Sequence, residues 1–403
     1  MEVAIIGGGP SGTIAAIELA EAGFEVHLFE RNDRVLKKLY GTGNGRCNYS
    51  NRDLTPDNFY SLHHERKFLL ELLSVQPIQK SKEYIENLGI YPYEDGRGRI
   101  YPHSLQSASV VDSILMRLEE TGVHIHTNMY IQQIQHDGHR FRLNGANKKF
   151  DYLILAPGGR AYPVMGSDGN AYKLLYPYGH SCTALVPGIG PIKVLFPYGK
   201  ELKGLKVEAK ILDENHQFLS EGDLLFAEDH ISGNSIFECS STISQNHMSK
   251  IYIDFLHDMD NVLLKEELKK RMIQFKERRV EWIFSGILHK RLARVLLKSL
   301  GIDLKSTCQS LTPEQIDAMV FQGKSWEFRI DGPGGWNQSQ ITMGGIPLSE
   351  FTDHLESKYL KKLYCAGEFL DCHGNCGGYN IMWAVTSALL VAKDIIKNAK
   401  LKI

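Results

Sequence analysis

The sequence predicts an α/β chain in which one parallel-sheet domain is built from both ends and interrupted by an insertion. Three observations predict it. A strand, a glycine turn and a helix open the chain. A second glycine-rich turn, between a strand and a long apolar helix, closes it. Between them, after Pro187, the texture changes to alternating β segments and then to charged helical ones.

The elements follow in order. Residues 2–6 (EVAII) are a short continuous apolar run bounded by glycine, as a buried strand requires. Gly7-Gly8-Gly9-Pro10-Ser11-Gly12 is a tight turn. Ile14, Ile17, Leu19 and Ala20 then recur at helical spacing until Gly23 stops the helix. Residues 26–29 (VHLF) are a second strand, ending at Glu30. The stretch from Lys37 to Asn48 is basic and then too glycine-dense for a helix or a strand interior. Helical patterns return over 66–73 and 107–120. Between Val123 and Ala156 lie several β-like runs, with Asp137-Gly138 and Asn144-Gly145 as hairpin turns.

Past Pro187, residues 206–212 and 250–255 alternate and suggest an antiparallel β unit. Residues 262–300 turn helical and strongly charged. Thr312-Pro313-Glu314-Gln315 carries an N-cap, a proline at the first helical position and a glutamine three residues after the cap, so a helix starts there. Residues 362–366 are a strand, and 380–398 a long apolar helix.

Bulk composition narrows the classes. A chain of 403 residues suits two or three domains, and 43% hydrophobic with 23% charged residues is a globular balance. A formal net charge of −1 exerts no global pull on nucleic acid or anionic lipid. No apolar run stands out as a membrane span, so no membrane partner is expected. The strand beginning at Glu2 leaves no room for a leader, which favours a cytoplasmic location. Seven scattered cysteines, an odd number without a framework, point to reduced thiols.

The chemistry begins at Gly7-x-Gly9-x-x-Gly12, followed by Glu30, 18 positions beyond Gly12. Gly7 allows the tight turn, Gly9 lets the backbone approach a pyrophosphate, and Gly12 lets the helix sit close to the strand. The helix N-terminus offers free N–H groups and partial positive charge to phosphates. Glu30 can accept hydrogen bonds from a ribose diol. This fingerprint reads as dinucleotide binding without separating FAD from NAD. The far end separates them. Residues 364–368 (YCAGE) are a strand entering a Gly-acid turn, and residues 374–380 (GNCGGYN) open the last helix. A helix N-terminus returning to the first domain suits a flavin ring, whose reduced anion it stabilises. Non-covalent FAD is therefore the expected cofactor.

Several blocks carry a more specific signal: TGNGRCN (42–48), GRGRIYPHSLQSASVVDSIL (96–115), YLILAPGGRAYPVMGSDG (152–169), HISGNSIFECSS (230–241) and the closing TMGGI and LYCAGEFLDCHGNCGGYNIMWA segments. Together these resemble the bacterial aminoacetone-oxidase-like flavoproteins, a family that includes enzymes reducing unsaturated bile-acid intermediates. The resemblance spans nearly the whole chain in order. It implies a Rossmann-type FAD-binding domain split by an insertion with a small antiparallel β-barrel and a helical subdomain. The expected division is FAD domain over 1–185 and 336–403, barrel over 186–258, helical part over 259–322 and a return strand over 323–335. Carried over residue by residue, the family's FAD contacts fall on Gly9, Ser11 and Gly12 in the turn, and on Glu30 and Arg31 at the ribose. Lys38, Gly43, Arg46 and Asn48 follow in the next loop. Ile131 falls on the adenine side, and Gly367, Glu368, Asn380 and Ile381 at the flavin end.

His373, Tyr379 and Tyr162, with Tyr101 and His103, are polar groups on segments expected near the flavin. They are the candidates for proton transfer or substrate placement. Cys372 and Cys376 are spaced C-x3-C, unlike the redox pairs of flavin disulfide reductases, and read better as small residues of a tight turn. Cys47, among glycines, reads as packed rather than reactive. His124 and His126 alternate on one strand, and His63 and His64 are adjacent. Neither pair has supporting ligand spacing, so no metal is expected. The cations between Lys265 and Lys298 alternate with Glu266, Glu267, Glu277 and Glu281, the pattern of a solvated amphipathic helix more than of an RNA-binding face.

The sequence thus predicts an FAD-dependent oxidoreductase acting on a small molecule. One version oxidises an amine and is reoxidised by oxygen. The other takes electrons from transiently bound NAD(P)H and reduces a C=C bond. The absence of a second nucleotide fold tilts the expectation toward the oxidase. The rival from another class is a flavoprotein that binds or modifies RNA.

Overall fold

A computed structural model describes residues 1–62 and 66–400; His63 and His64 lie outside the described residues. The chain forms two units, residues 1–188 with 336–403, and residues 189–335.

The first unit is organised by a five-stranded sheet in the order 363–365, 152–155, 2–6, 25–29, 124–126. All four pairings are parallel. Strand Glu2–Ile6 is central and apolar because it is covered on both faces; Val3, Ala4 and Ile5 are fully buried. The chain goes to one side of it for Glu25–Phe29 and to the other for Tyr152–Leu155. That reversal makes the carboxyl end of the central strand a topological switch point, where open α/β sheets bind ligands. The turns after Ile6, Leu155 and Cys365 all leave from this edge.

Helix Pro10–Glu21 follows the first turn and is buried nearly all round, from Ser11 to Ile17 and at Leu19. The last helix, Tyr379–Lys400, is 22 residues long and packs in the same core through Met382, Trp383, Val385 and Leu390. Contrary to the sequence expectation, it is long and apolar enough to cross a membrane. Here its apolar residues fill the interior of the parallel-sheet unit. Strand Val186–Gly188 pairs with Ile341–Met343, so the chain leaves this unit after residue 188.

The second unit is a closed six-stranded barrel: Ile192–Leu195, His230–Ser232, Phe218–Phe226, Lys206–Leu212, Lys250–Asp254 and Trp326–Pro333, the last closing on the first. An aromatic group fills it. Phe196 stacks on Phe328 with centroids 4.5 Å apart, and Phe226, Phe255 and Trp326 surround the pair. Helices Asn261–Gln274, Lys290–Ser299 and Pro313–Lys324 share this core through Leu264, Leu268, Leu292, Leu296 and Met319. The barrel and the helices are thus one packed body. The expected cap at Thr312 is present, its hydroxyl accepting the Gln315 N–H at 3.2 Å. Many cations of the charged helices are paired: Arg271 with Glu267 at 2.7 Å, Lys298 with Glu201 at 2.7 Å, and Lys265 with Asp317.

Phe328 is 1% exposed at the centre of the barrel aromatics. Phe328→Ala is expected to lower the unfolding free energy by about 3–5 kcal/mol. Urea unfolding followed by tryptophan fluorescence measures this, and an unchanged midpoint would deny the aromatic layer its role.

Candidate functional site

The site is built where the first and last turns meet. Gly7 N–H donates to the Phe29 carbonyl at 2.8 Å, anchoring the turn between the first two strands. Helix Pro10–Glu21 then starts with no side-chain cap and no acidic residue in its first turn, so its leading N–H groups stay available. A Cβ on Gly12 would lie 1.9 Å from the Gly7 carbonyl oxygen, so only glycine lets this helix approach the turn. Above Gly9 the space is open: an added Cβ would meet no heavy atom within 4 Å. An uncapped helix start under an open glycine is a cradle that fits a pyrophosphate.

Glu30 ends the second strand and is buried. Its Oε2 accepts the Gly8 N–H at 2.8 Å, and its Oε1 accepts the Asn32 N–H at 2.7 Å and Asn32 Nδ2 at 2.8 Å. These bonds fix the carboxylate beside the turn. Arg31 pairs with Asp168 at 2.7 Å and lies over the Tyr130 ring at 4.8 Å. Ile131 is buried close by in sequence, on the segment whose Met129 N–H donates to the Glu30 carbonyl at 2.9 Å.

The far end of the chain comes to the same edge. Gly367 has φ 74°, and a Cβ there would lie 2.2 Å from Ser11 Oγ. Both the left-handed backbone and this contact demand glycine. Its N–H donates to Ser387 Oγ at 2.8 Å, and its carbonyl accepts Trp383 Nε1 at 3.1 Å, tying the turn to the last helix. Glu368 pairs with Lys38 at 3.0 Å across 330 positions of sequence. Its other oxygen accepts the Thr342 N–H at 2.9 Å. Thr342 Oγ1 in turn accepts the Arg160 and Ala161 N–H groups at 2.7 and 3.0 Å. Thr342 therefore joins the turn after Leu155 to the closing turn, a role that its neutral side chain did not announce in the sequence. Asp168 and Ser387 were missed for the same reason: each acts through a distant partner.

Other expected residues occupy local positions. Loop 41–48 folds back on itself, with Arg46 N–H donating to the Gly43 carbonyl at 3.2 Å and Cys47 N–H to that of Thr42 at 3.0 Å. The Arg46 side chain is exposed. With its amide nitrogen turned toward them, Asn48 donates to the carbonyls of Ser50 and Ile100 at 2.8 and 3.1 Å. Asn380 Oδ1 accepts the Gly374 N–H at 2.8 Å, while its Nδ2 donates to the Gly374 carbonyl at 2.9 Å, closing the turn before the last helix. Ile381 is half-buried in that helix's first turn. Tyr379 is buried and its hydroxyl donates to the Asp53 carbonyl at 3.3 Å; burial raises the hydroxyl to about 12. Tyr162 is half-buried with φ 62°, its N–H donating to the Trp336 carbonyl at 2.9 Å. All seven cysteines are free. Burial pushes the Cys47 thiol up to about 12 and that of Cys372 well above its usual range, which makes both poor nucleophiles.

His373 is 1% exposed, next to the Tyr60 ring, and burial lowers its imidazole to about 4. In the folded chain it is neutral near pH 7, whereas the unfolded chain takes up a proton near pH 6.5. Protons therefore favour unfolding. The stability held above pH 6.5 is expected to fall as the pH drops toward 4, and to fall less in His373→Gln. Urea midpoints between pH 7 and 4 measure this; parallel curves for the two proteins would contradict it.

Comparison with known proteins agrees with this geometry. Residues 1–394 match the model of the HI0933-like protein Rossmann domain. The chain is 30% identical to the 3-dehydro-bile acid delta(4,6)-reductase of Clostridium scindens over 97% of its length and 98% of that protein. It is 25% identical to the ribosomal RNA dihydrouridine synthase of Escherichia coli, over 97% of each. Among solved structures, the open conformation of a flavocytochrome c3 fumarate reductase superposes with a TM-score of 0.50 at 15% identity, covering 99% of this chain and 78% of that one, a likeness of fold. With both glycine turns in place and the match running through nearly every element, the chain belongs to the HI0933-like family of FAD-dependent Rossmann oxidoreductases.

Proposed function

We propose that this oxidoreductase reduces a C=C bond conjugated to a carbonyl in a small molecule, drawing electrons from NAD(P)H. The observation that carries the reading is the full-length match, at 30% identity, to a bile-acid delta(4,6)-reductase. The dihydrouridine synthase relative points to the same bond change, since dihydrouridine is uridine with one ring C=C saturated beside a carbonyl. The two relatives differ in substrate and share a reaction class. Both are reductions, which favours the reductase over the amine oxidase that the missing second nucleotide fold suggested. The seven free cysteines suit a reducing compartment, and we take the cytoplasm as the location.

The chain's own residues divide the work. The open space at Gly9 and the uncapped helix start with Ser11 and Gly12 would hold the pyrophosphate of FAD. Glu30 would take the adenosine ribose, with Arg31 and Ile131 beside it. Lys38, Gly43, Arg46, Asn48, Gly367, Glu368, Asn380 and Ile381 would shape the flavin end. When bound, FAD supplies a carrier that accepts a hydride from one partner and passes it to another. Saturating an enone also needs a proton at the carbon next to the carbonyl. Tyr379 already donates to a backbone carbonyl, and His373 is buried, which leaves neither hydroxyl nor imidazole open to solvent. Tyr162, half-buried and with a left-handed backbone, is the proton donor assigned in this reading.

Mixing the purified protein anaerobically with NADH or NADPH is expected to bleach the flavin band, and a 3-oxo-Δ4,6 steroid acid to restore it. Bleaching by amines alone would overturn the reductase reading. Recovery of colour only with ribosomal RNA would move the substrate to uridine. Tyr162→Phe is expected to slow the second half-reaction roughly 100-fold or more while leaving the first intact. Equal slowing of both halves would remove its role. Glu30→Ala is expected to weaken cofactor retention by about 1–3 kcal/mol, seen as paler protein after gel filtration. Undiminished colour would count against the ribose assignment.

A further inference from the structure

The parallel sheet brings together a set of ligating side chains away from the cofactor cradle. Glu25 and His27 alternate on one strand and so face the same side. The neighbouring edge strand pairs with it in parallel, His27 opposite His124, and adds His126 two residues on. One oxygen of Glu25, one ring nitrogen of His27 and one of His124 all lie within 4.8 Å of one another. His27 is buried, whereas Glu25 and His124 are exposed, so an ion could enter from solvent.

We propose that Glu25, His27 and His124 form a binding site for a divalent transition-metal ion of the zinc class. Two imidazoles and a carboxylate are the donors such ions take, and a three-ligand set leaves a fourth position for water. Tetrahedral zinc with bonds near 2.0–2.1 Å needs its donors roughly 3.3 Å apart. His27 Nε2 and Glu25 Oε1 already stand 3.2 Å apart. To complete the set the His124 ring, stacked on His27, would turn toward these two donors, and the Lys148 ammonium would leave Glu25 Oε1.

A partner for the other ring nitrogen is also present. His27 Nδ1 lies 3.0 Å from His126 Nε2. A ligating histidine usually donates its other ring N–H to an acceptor, which fixes its tautomer and orientation. With a metal on Nε2, His27 Nδ1–H would donate to His126 Nε2. Without one, the same contacts fit the tautomer in which Nε2–H donates to Glu25 and Nδ1 accepts from His126. His27 and His126 are held by stacking, 5.3 Å apart, with His126 4.8 Å from Phe29, while the exposed His124 ring lies 4.7 Å from His27. Lys148 bonds Glu25 and is the cation that a metal would displace; Glu2, 3.6 Å from its ammonium, would keep it.

The position gives the site a consequence. The His126 carbonyl accepts the Glu30 N–H at 2.9 Å. An ion clamping the edge strand to its neighbour would therefore also hold the backbone of Glu30, the carboxylate at the cofactor cradle. This is metal used as a structural clip, with no part in the redox step.

The test uses the full-length, tag-free, flavin-loaded protein after chelator treatment. Zinc chloride is titrated calorimetrically, with thermal unfolding as a second readout. One ion per chain is expected, with a rise in the unfolding temperature. His124→Ala and Glu25→Gln are each expected to weaken binding at least about tenfold and remove the rise. Both replace exposed side chains, so the fold is retained. No zinc uptake by the parent protein would overturn the proposal. So would undiminished uptake by His124→Ala, which would place the ion elsewhere, as on the cysteines.

Discussion

Gly367 resting against Ser11 is the contact on which the rest of the first unit depends. It joins a turn from the end of the chain to the helix start at its beginning, and no larger residue fits. The bonds from Ser387 and Trp383 then make the last helix part of the same edge. Once the two ends are fastened there, the chain between them can leave after Gly188 and return at Trp336 without disturbing the sheet. The pairing of Val186–Gly188 with Ile341–Met343 keeps exit and re-entry side by side. A whole barrel and its helices are accommodated by that one pair of crossings.

The second constraint is charge. Lys38 and Glu368 are far apart in sequence and meet at 3.0 Å, with Thr342 bonded to the same carboxylate. Ion pairs at a half-exposed surface contribute little to stability. Their value here is positional: they fix three loops that leave the sheet at one edge. The cradle is therefore assembled by backbone N–H groups and a few polar side chains, and it carries little that is specific to a substrate.

Much of the cofactor edge was legible in the sequence, because it depends on residues whose identity is forced locally. Glycine at 7, 9 and 12, glutamate at 30 and the glycine-acid pair at 367–368 each have one physical reason to be there. What was hidden depends on partners remote in sequence. Strands Ile192–Leu195 and His230–Ser232 span too few residues for a period to show. Helix Ile78–Asn87 escaped because only Ile78, Ser81 and Ile85 are buried among many polar residues. Thr342 has no unusual side chain, and its role comes from the loops it joins. Tyr379 and His373 lie on the closing turn and its helix, and both are buried, which a sequence does not display. Likewise His124 and His126 gained ligating neighbours only through the parallel register with Glu25 and His27.

If the glycine turns from both ends of the chain close around one adenine-flavin dinucleotide, denaturing the purified protein releases it. Chromatography and mass of the released chromophore are expected to show FAD, free of any covalent link, at one molecule per chain. Release of a mononucleotide flavin or of NAD, or a protein that neither carries nor takes up FAD, would contradict it.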